Sequence, residues 1–252
     1  MPYRRLPNTD LARLRAMKTA YQMGREIHPT ALAFTQSTYT KLELFINSFE
    51  TAVQQYREAY NRQAESSAIY IPTAQKARLY VSHFIQVVNM AVLRGELKPN
   101  VRTYYQLPVD EGKLPPLASD QEVIDWGQKI IQGEFQRTSE GRPPIMNPTI
   151  ALVKVHYEKF VDLYTRHRIL QQNTVRTRSE LDALRETADQ IILAIWDEVE
   201  EHFKGLTPEE SRAKANHMIR RMKEFGWLDY EQRENFKIFI LLPHYSSRLW
   251  GL

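Results

Sequence analysis

The sequence predicts a mainly all-α protein, a four-helix-type bundle of long antiparallel helices with a small C-terminal helix and β-hairpin appended. Three observations carry that reading. Apolar residues recur at steps of three and four over long stretches, the pattern of a helix with one buried face. The same stretches are rich in Ala, Leu, Glu, Lys, Arg and Gln, the strong helix formers. Only 9 glycines stand among 252 residues, and the 13 prolines fall at intervals that punctuate the chain.

The first long helix is expected from Thr30 to about Ser66, with Pro29 at its entry. Its stripe is Leu42, Phe45/Ile46, Phe49, Ala52/Val53, Tyr56 and Ala59/Tyr60. Pro72 opens a second, about Thr73 to Arg94, with the stripe Ala77, Tyr80/Val81, Phe84, Val87/Val88, Ala91 and a stop at Gly95. Lys98 to Ala118 carries four prolines and no periodicity, so it reads as an irregular crossover anchored by Tyr104, Tyr105 and Leu107. Ser119-Asp120-Gln121-Glu122 is a capping box and announces a shorter helix that buries Val123, Trp126/Gly127, Ile130/Ile131 and Phe135.

After a turn-rich linker from Ser139 to Pro144, Asn147-Pro148 reads as the entry of the next helix. The stripe Val153, Tyr157, Phe160, Leu163/Tyr164, His167 and Leu170 follows. The polar patch Gln171 to Arg178 either breaks or merely marks the helix. The pattern resumes as Leu181, Leu184, Ala188, Ile191/Ile192, Ile195, Val199 and Phe203, and ends at Gly205. Tyr39 and Tyr157 each lie about ten residues after a Pro-Thr pair, a faint echo that two related helical hairpins would explain.

Two domains follow: a helical bundle over residues 1–205 and a helix-and-hairpin segment over 206–252. In the latter, Thr207-Pro208-Glu209-Glu210 starts a helix that Gly226 stops. Trp227 to Glu231 and Phe236 to Leu242 read as two strands around a polar turn.

Composition excludes several classes of function. With no cysteine there is no disulfide scaffold, thiolate metal site or cysteine nucleophile, which fits a reducing, cytoplasmic setting. The basic start Met1-Pro2-Tyr3-Arg4-Arg5 is followed by no apolar run, and no stretch approaches the ~18–20 residues of a membrane span. The net charge of +4 is modest. It is concentrated in residues 1–28, with six Lys/Arg against two Asp/Glu, as would suit a basic N-terminal arm.

No catalytic, cofactor-binding or metal-ligating residue is assigned. A di-metal carboxylate site needs Glu-x-x-His on two helices, and no such pair occurs. His83, His156, His167 and His202 lie on or beside apolar stripes without ligand spacing, so they read as hydrogen-bonded core or half-buried imidazoles. Asp197, Glu198, Glu200 and Glu201 read as a solvated acidic face. Phosphate-cradling glycine loops and a nucleophile elbow are absent. The one exception is the helix bearing Arg212, Lys214, Arg220, Arg221 and Lys223, followed by the hairpin. This is the second half of a winged-helix arrangement, in which such residues reach DNA phosphate. Glu209, Glu210 and Glu224 dilute the charge, and a cap on the bundle or a dimerisation element is the competing reading.

The segment Arg221-Met222-Lys223-Glu224-Phe225-Gly226-Trp227-Leu228-Asp229-Tyr230-Glu231, continued by Phe239-Ile240-Leu241-Leu242-Pro243-His244-Tyr245, resembles a winged-helix stretch in the kleisin-like subunit of Wadjet plasmid-defence complexes. That resemblance covers less than a fifth of the chain and implies a subunit of a multi-protein assembly. Residues 1–205, opening with Tyr3-Arg4-Arg5-Leu6-Pro7-Asn8-Thr9-Asp10, are similar to all-helical bacterial proteins of no known activity. The expectation is a non-enzymatic structural or interaction protein with a protein partner or self-association and no membrane. The alternative is a DNA-associated protein using the C-terminal module.

Overall fold

Four α-helices and one 3-10 helix make up the computed structural model, which describes residues 6–204 and Glu210. They are α1 (Asp10–Glu26), α2 (Gln36–Leu93), the 3-10 helix Pro99–Tyr105, α3 (Asp120–Ser139) and α4 (Ile150–His202). Among the described residues there is no strand, and the mainly α-helical class holds. The helix and hairpin expected after Thr207 lie outside the described residues.

The chain divides into two compact units. Unit 1 is built from residues up to Arg57 and from Thr177 onward; unit 2 is Glu58–Arg176. Both long helices contribute to both units, and in each unit α2 and α4 run antiparallel. Thr38 meets Glu198 in unit 1, while Ser66 meets His167 and Tyr80 meets His156 in unit 2.

From Asp10 to Glu26 the basic N-terminal stretch is a packed helix rather than an arm. Thr9 caps α1, its side chain accepting from the Ala12 amide at 3.2 Å. The helix then buries Leu14, Ala16, Met17, Ala20 and Met23. These join Leu42, Ile46, Phe49 and Val53 of α2 and Leu181, Ala188, Ile192, Trp196 and Val199 of α4 in the unit 1 core. The unit 2 core gathers Ala77, Val81, Phe84 and Val88 of α2, Tyr105, Val123 and Ile130, and Val153 and Phe160 of α4.

Two expected helix starts, at Pro72 and Asn147, are corrected, and the open question at residues 171–178 is answered. Pro72 does not open a helix; it sits inside α2. Its ring faces solvent, where the carbonyl it leaves unpaired is solvated, and the buried stripe runs on through Tyr70, Ala74 and Ala77. The patch 171–178 does not break α4 either, because Thr174 and Thr177 continue the buried face. Thr174 Oγ1 reaches the Leu170 carbonyl at 3.1 Å and the Ala59 carbonyl at 3.2 Å. Asn147 does not start α4: its φ of 56° is left-handed rather than the extended conformation of an N-cap, and the helix begins at Ile150.

Other signals match. The Ser119–Glu122 capping box forms in both directions. Gly95, at φ 75°, ends α2 with the Glu96 amide on the Ala91 carbonyl and the Gly95 amide on the Val92 carbonyl, a Schellman motif.

The internal echo has a physical counterpart. Tyr39 lies flat against Gly24 of α1, where a Cβ would sit 2.2 Å from its ring. Tyr157 lies against Gly127 of α3, where a Cβ would sit 2.3 Å away. In each unit a shorter helix thus approaches the following long helix through a glycine opposite a tyrosine.

Candidate functional site

The sequence-predicted nucleic-acid contacts Arg212, Lys214, Arg220, Arg221 and Lys223 lie outside the described residues. The histidines do not converge. His156 stacks on Tyr80 at 4.2 Å and His167 on Tyr70 at 4.6 Å, while His83 and His202 are exposed. Burial, with Lys76 and Lys159 nearby, holds the His156 imidazole below its ordinary value. Among the described residues no three His, Asp or Glu side chains gather to hold a metal ion.

Glu198 is not part of a solvated face. Its carboxylate accepts from the Thr35 amide at 2.6 Å and from the Thr38 hydroxyl at 2.6 Å. It therefore lies over the N-terminus of α2, where a negative charge meets unpaired amides and the positive end of the helix dipole.

Unit 1 also holds a reciprocal pair of Arg–Asp bridges between α1 and α4. Arg13 donates to both Asp189 oxygens at 2.7 and 3.0 Å, and Arg185 to both Asp10 oxygens at 2.7 Å. The paired forks fix the register of the two helices. A groove beside α1, lined by Lys18, Tyr21, Arg25, Asn47 and Glu50, is polar and internally paired, with Lys18 on Glu50 and Arg25 over the Tyr21 ring.

Unit 2 contains two buried arginines. Arg137 is 2% exposed and Glu134, one helical turn before it on α3, is fully buried. Arg137 donates through Nε and Nη2 to the two Glu134 oxygens at 2.8 and 2.9 Å, and through Nη2 to the Pro143 carbonyl at 2.7 Å. Glu134 also accepts from the Tyr105 hydroxyl and, at 2.8 Å, from the Ile145 amide. Burial pushes the Glu134 carboxyl up, but the hydrogen bonds from Arg137, Tyr105 and Ile145 together bring it below its ordinary value. Burial, with the carboxylate beside it, pushes the Tyr105 phenol well up. The four groups tie α3 to the 3-10 helix and to the turn after Ser139.

Arg102 is 5% exposed and differs in its partners. Nε donates to Asn89 Oδ1 at 2.9 Å, Nη1 to the Val109 carbonyl at 2.6 Å, and Asn89 in turn donates to the Gly112 carbonyl at 3.1 Å. These bonds hold the proline-rich crossover onto α2. Tyr105 and Leu107 are buried anchors as expected, while Tyr104 is half-buried and donates to Glu140. Phe135, expected in the α3 stripe, is 76% exposed, because the stripe runs 123, 127, 130, 134, 137 and so buries Glu134 and Arg137 instead.

The C-terminal part of the chain connects it to known proteins. Residues 163–252 match the family described as Wadjet protein JetA. Wadjet protein JetA of Bacillus cereus (strain Q1) is 38% identical over 74 residues, which is 29% of this chain and 15% of that protein. No solved structure matches the chain. The Wadjet resemblance noted in the C-terminal residues therefore holds over a longer stretch. Its described part is the second portion of α4, with Leu181, Arg185, Ala188, Asp189, Trp196 and Glu198. From Thr177 onward this helix belongs to unit 1 and supplies both its core stripe and the charged partners of α1 and α2. No helix among the described residues is long and apolar enough to cross a membrane.

Proposed function

We propose that this chain is a non-enzymatic structural and interaction protein that works as a subunit of a Wadjet-type assembly. The match of residues 163–252 to Wadjet protein JetA carries the reading. Large apolar side chains on the outer face of α2, with Leu79 62% and Leu93 74% exposed, fit a protein that meets a partner. Co-expression with the proteins encoded beside it, followed by light scattering on the purified material, tests the proposal. A stoichiometric complex is the expected result, and a lone monomer in every combination overturns it.

A second reading is a DNA-associated protein using residues 206–252, favoured by Arg212, Lys214, Arg220, Arg221 and Lys223 within twelve positions of the matched segment. Fluorescence anisotropy with duplex DNA at low and moderate salt separates the two, using the full chain and a variant ending at Gly205. DNA contact through these residues predicts binding that weakens steeply with salt, as released counterions demand, and that is lost on truncation. No binding at low salt removes this reading and leaves the C-terminal segment as a protein-contact element.

A further inference from the structure

We propose that Arg102 is the receptor for a carboxylate side chain of a protein partner, seated against its Nη2 edge beside Gly112. Arg102 is 5% exposed, yet among the described residues no Asp or Glu lies within ion-pair distance and Nη2 makes no hydrogen bond. Burying an arginine without a counter-charge is rare, because neutral acceptors offset its desolvation only in part. The same unit supplies a full counter-ion to Arg137, so the fold is able to neutralise a buried guanidinium where it closes the site.

Asn89 and the Val109 carbonyl engage Nε and Nη1, which leaves the N–H groups of Nη2, beside Gly112, without a protein partner. A Cβ at Gly112 would stand 3.3 Å from Nη2, so any side chain there would crowd this edge. The N–H groups of Nη2 can donate charge-assisted hydrogen bonds to a carboxylate oxygen. The exposed rim carries Asp110 and Glu111, with Lys113 4.0 Å from Glu111. Those two carboxylates oppose the many charges of a nucleic-acid backbone more than the single charge of one carboxylate. The identity of the donor as a protein rests on the function proposed above; the anion site itself does not.

The test uses the full chain with nitrogen-labelled arginine, titrated separately with acetate, inorganic phosphate and duplex DNA. Acetate is expected to move the Arg102 Nε–H resonance saturably while leaving the exposed Arg15 in place. Gly112→Asp brings a carboxylate to Nη2 within the chain, with Gly112→Ala as its steric control. The Asp variant is expected to melt higher than the Ala variant and to weaken the acetate response by on the order of tenfold, since the tethered group competes.

In the co-expressed complex, Arg102→Lys is expected to weaken association by on the order of tenfold and Arg15→Lys to leave it unchanged. An equal acetate response at Arg15, no gain of Gly112→Asp over Gly112→Ala, or stronger shifts with phosphate or DNA each overturns the carboxylate site. Unchanged association in Arg102→Lys overturns its assignment to a partner. A normal acetate response in a chain that forms no complex overturns the proposed function instead.

Discussion

Arg137 and Arg102 lie in the same unit and are nearly equally buried, yet their environments are opposite. Arg137 faces a carboxylate whose two oxygens also take a phenol and an amide, so the group of charges is neutral and saturated. Arg102 faces an amide oxygen and a loop carbonyl, and its positive charge is not cancelled. The difference shows two uses of one residue type. In the first, a buried ion pair with every hydrogen bond satisfied makes a closed structural joint, costly to open because either partner alone is a stranded charge. In the second, a buried cation orders a loop while keeping unspent affinity for an anion.

The comparison is broken most directly at Glu134. Glu134→Gln keeps the shape and strands Arg137, and is expected to cost about 3–5 kcal/mol. Urea unfolding followed by hydrogen exchange at unit 2 amides reads this loss. Next in size is Asn89→Ala, which removes the Nε acceptor of Arg102 and the donor to Gly112, for about 1–3 kcal/mol. If its unfolding midpoint falls as far as that of Glu134→Gln, Arg102 depends on its internal partners as strongly as Arg137 does, and the contrast disappears.

The Arg–Asp bridges of unit 1 sharpen the comparison from outside. They are partly exposed, the Arg13 and Asp189 side chains at 13% and 24%. Asp189→Asn is therefore expected to cost at most about 1 kcal/mol and to lose its effect as salt is raised. A loss that persists in high salt would mark that bridge as a buried joint of the Glu134 kind.

The smallest expected effect is on pH dependence. Glu134 is held below its ordinary value, so its contribution is fully present above the unfolded carboxylate pKa of about 4.3. It is lost only as the pH falls through the lower, folded value. The wild-type unfolding midpoint should fall more steeply below about pH 4.3 than that of Glu134→Gln, and parallel acid limbs would contradict the assigned partners.

Much of the helical frame was legible because its signals are local. Stripes such as Leu42, Ile46, Phe49 and Val53, the Ser119–Glu122 box and the Gly95 stop each depend on residues within a few positions. Helix α1 was missed because Ala16, Met17, Ala20 and Met23 form a weak apolar stripe among arginines. The continuity through Pro72 and through residues 171–178 depends on which way a residue faces. Pro72 points to water and Thr174 inward onto a carbonyl, and both orientations are set by packing. The buried polar sites were hidden for a related reason. Glu134 and Arg137 share α3 and could have been found by their i,i+3 spacing on the buried side. Arg102 meets Asn89 and Val109 through a crossover without periodicity, and Glu198 meets Thr35 across 163 positions. No local pattern announces such pairs.

That separation bears on the order in which the protein is made. Unit 2 is one continuous stretch, Glu58–Arg176, and its contacts close as soon as α4 begins to leave the ribosome. Unit 1 is split around it. Helix α1 and the first turns of α2 are synthesised early, yet their partners Leu181, Asp189, Trp196 and Glu198 arrive more than a hundred residues later. Until then Met17, Met23, Leu42 and Phe49 have no third helix to cover them, and the amide end of α2 has no acid to meet it. Unit 2 is thus complete while unit 1 waits, its seam of Met17, Met23, Leu42 and Phe49 uncovered until the second half of α4 has been made.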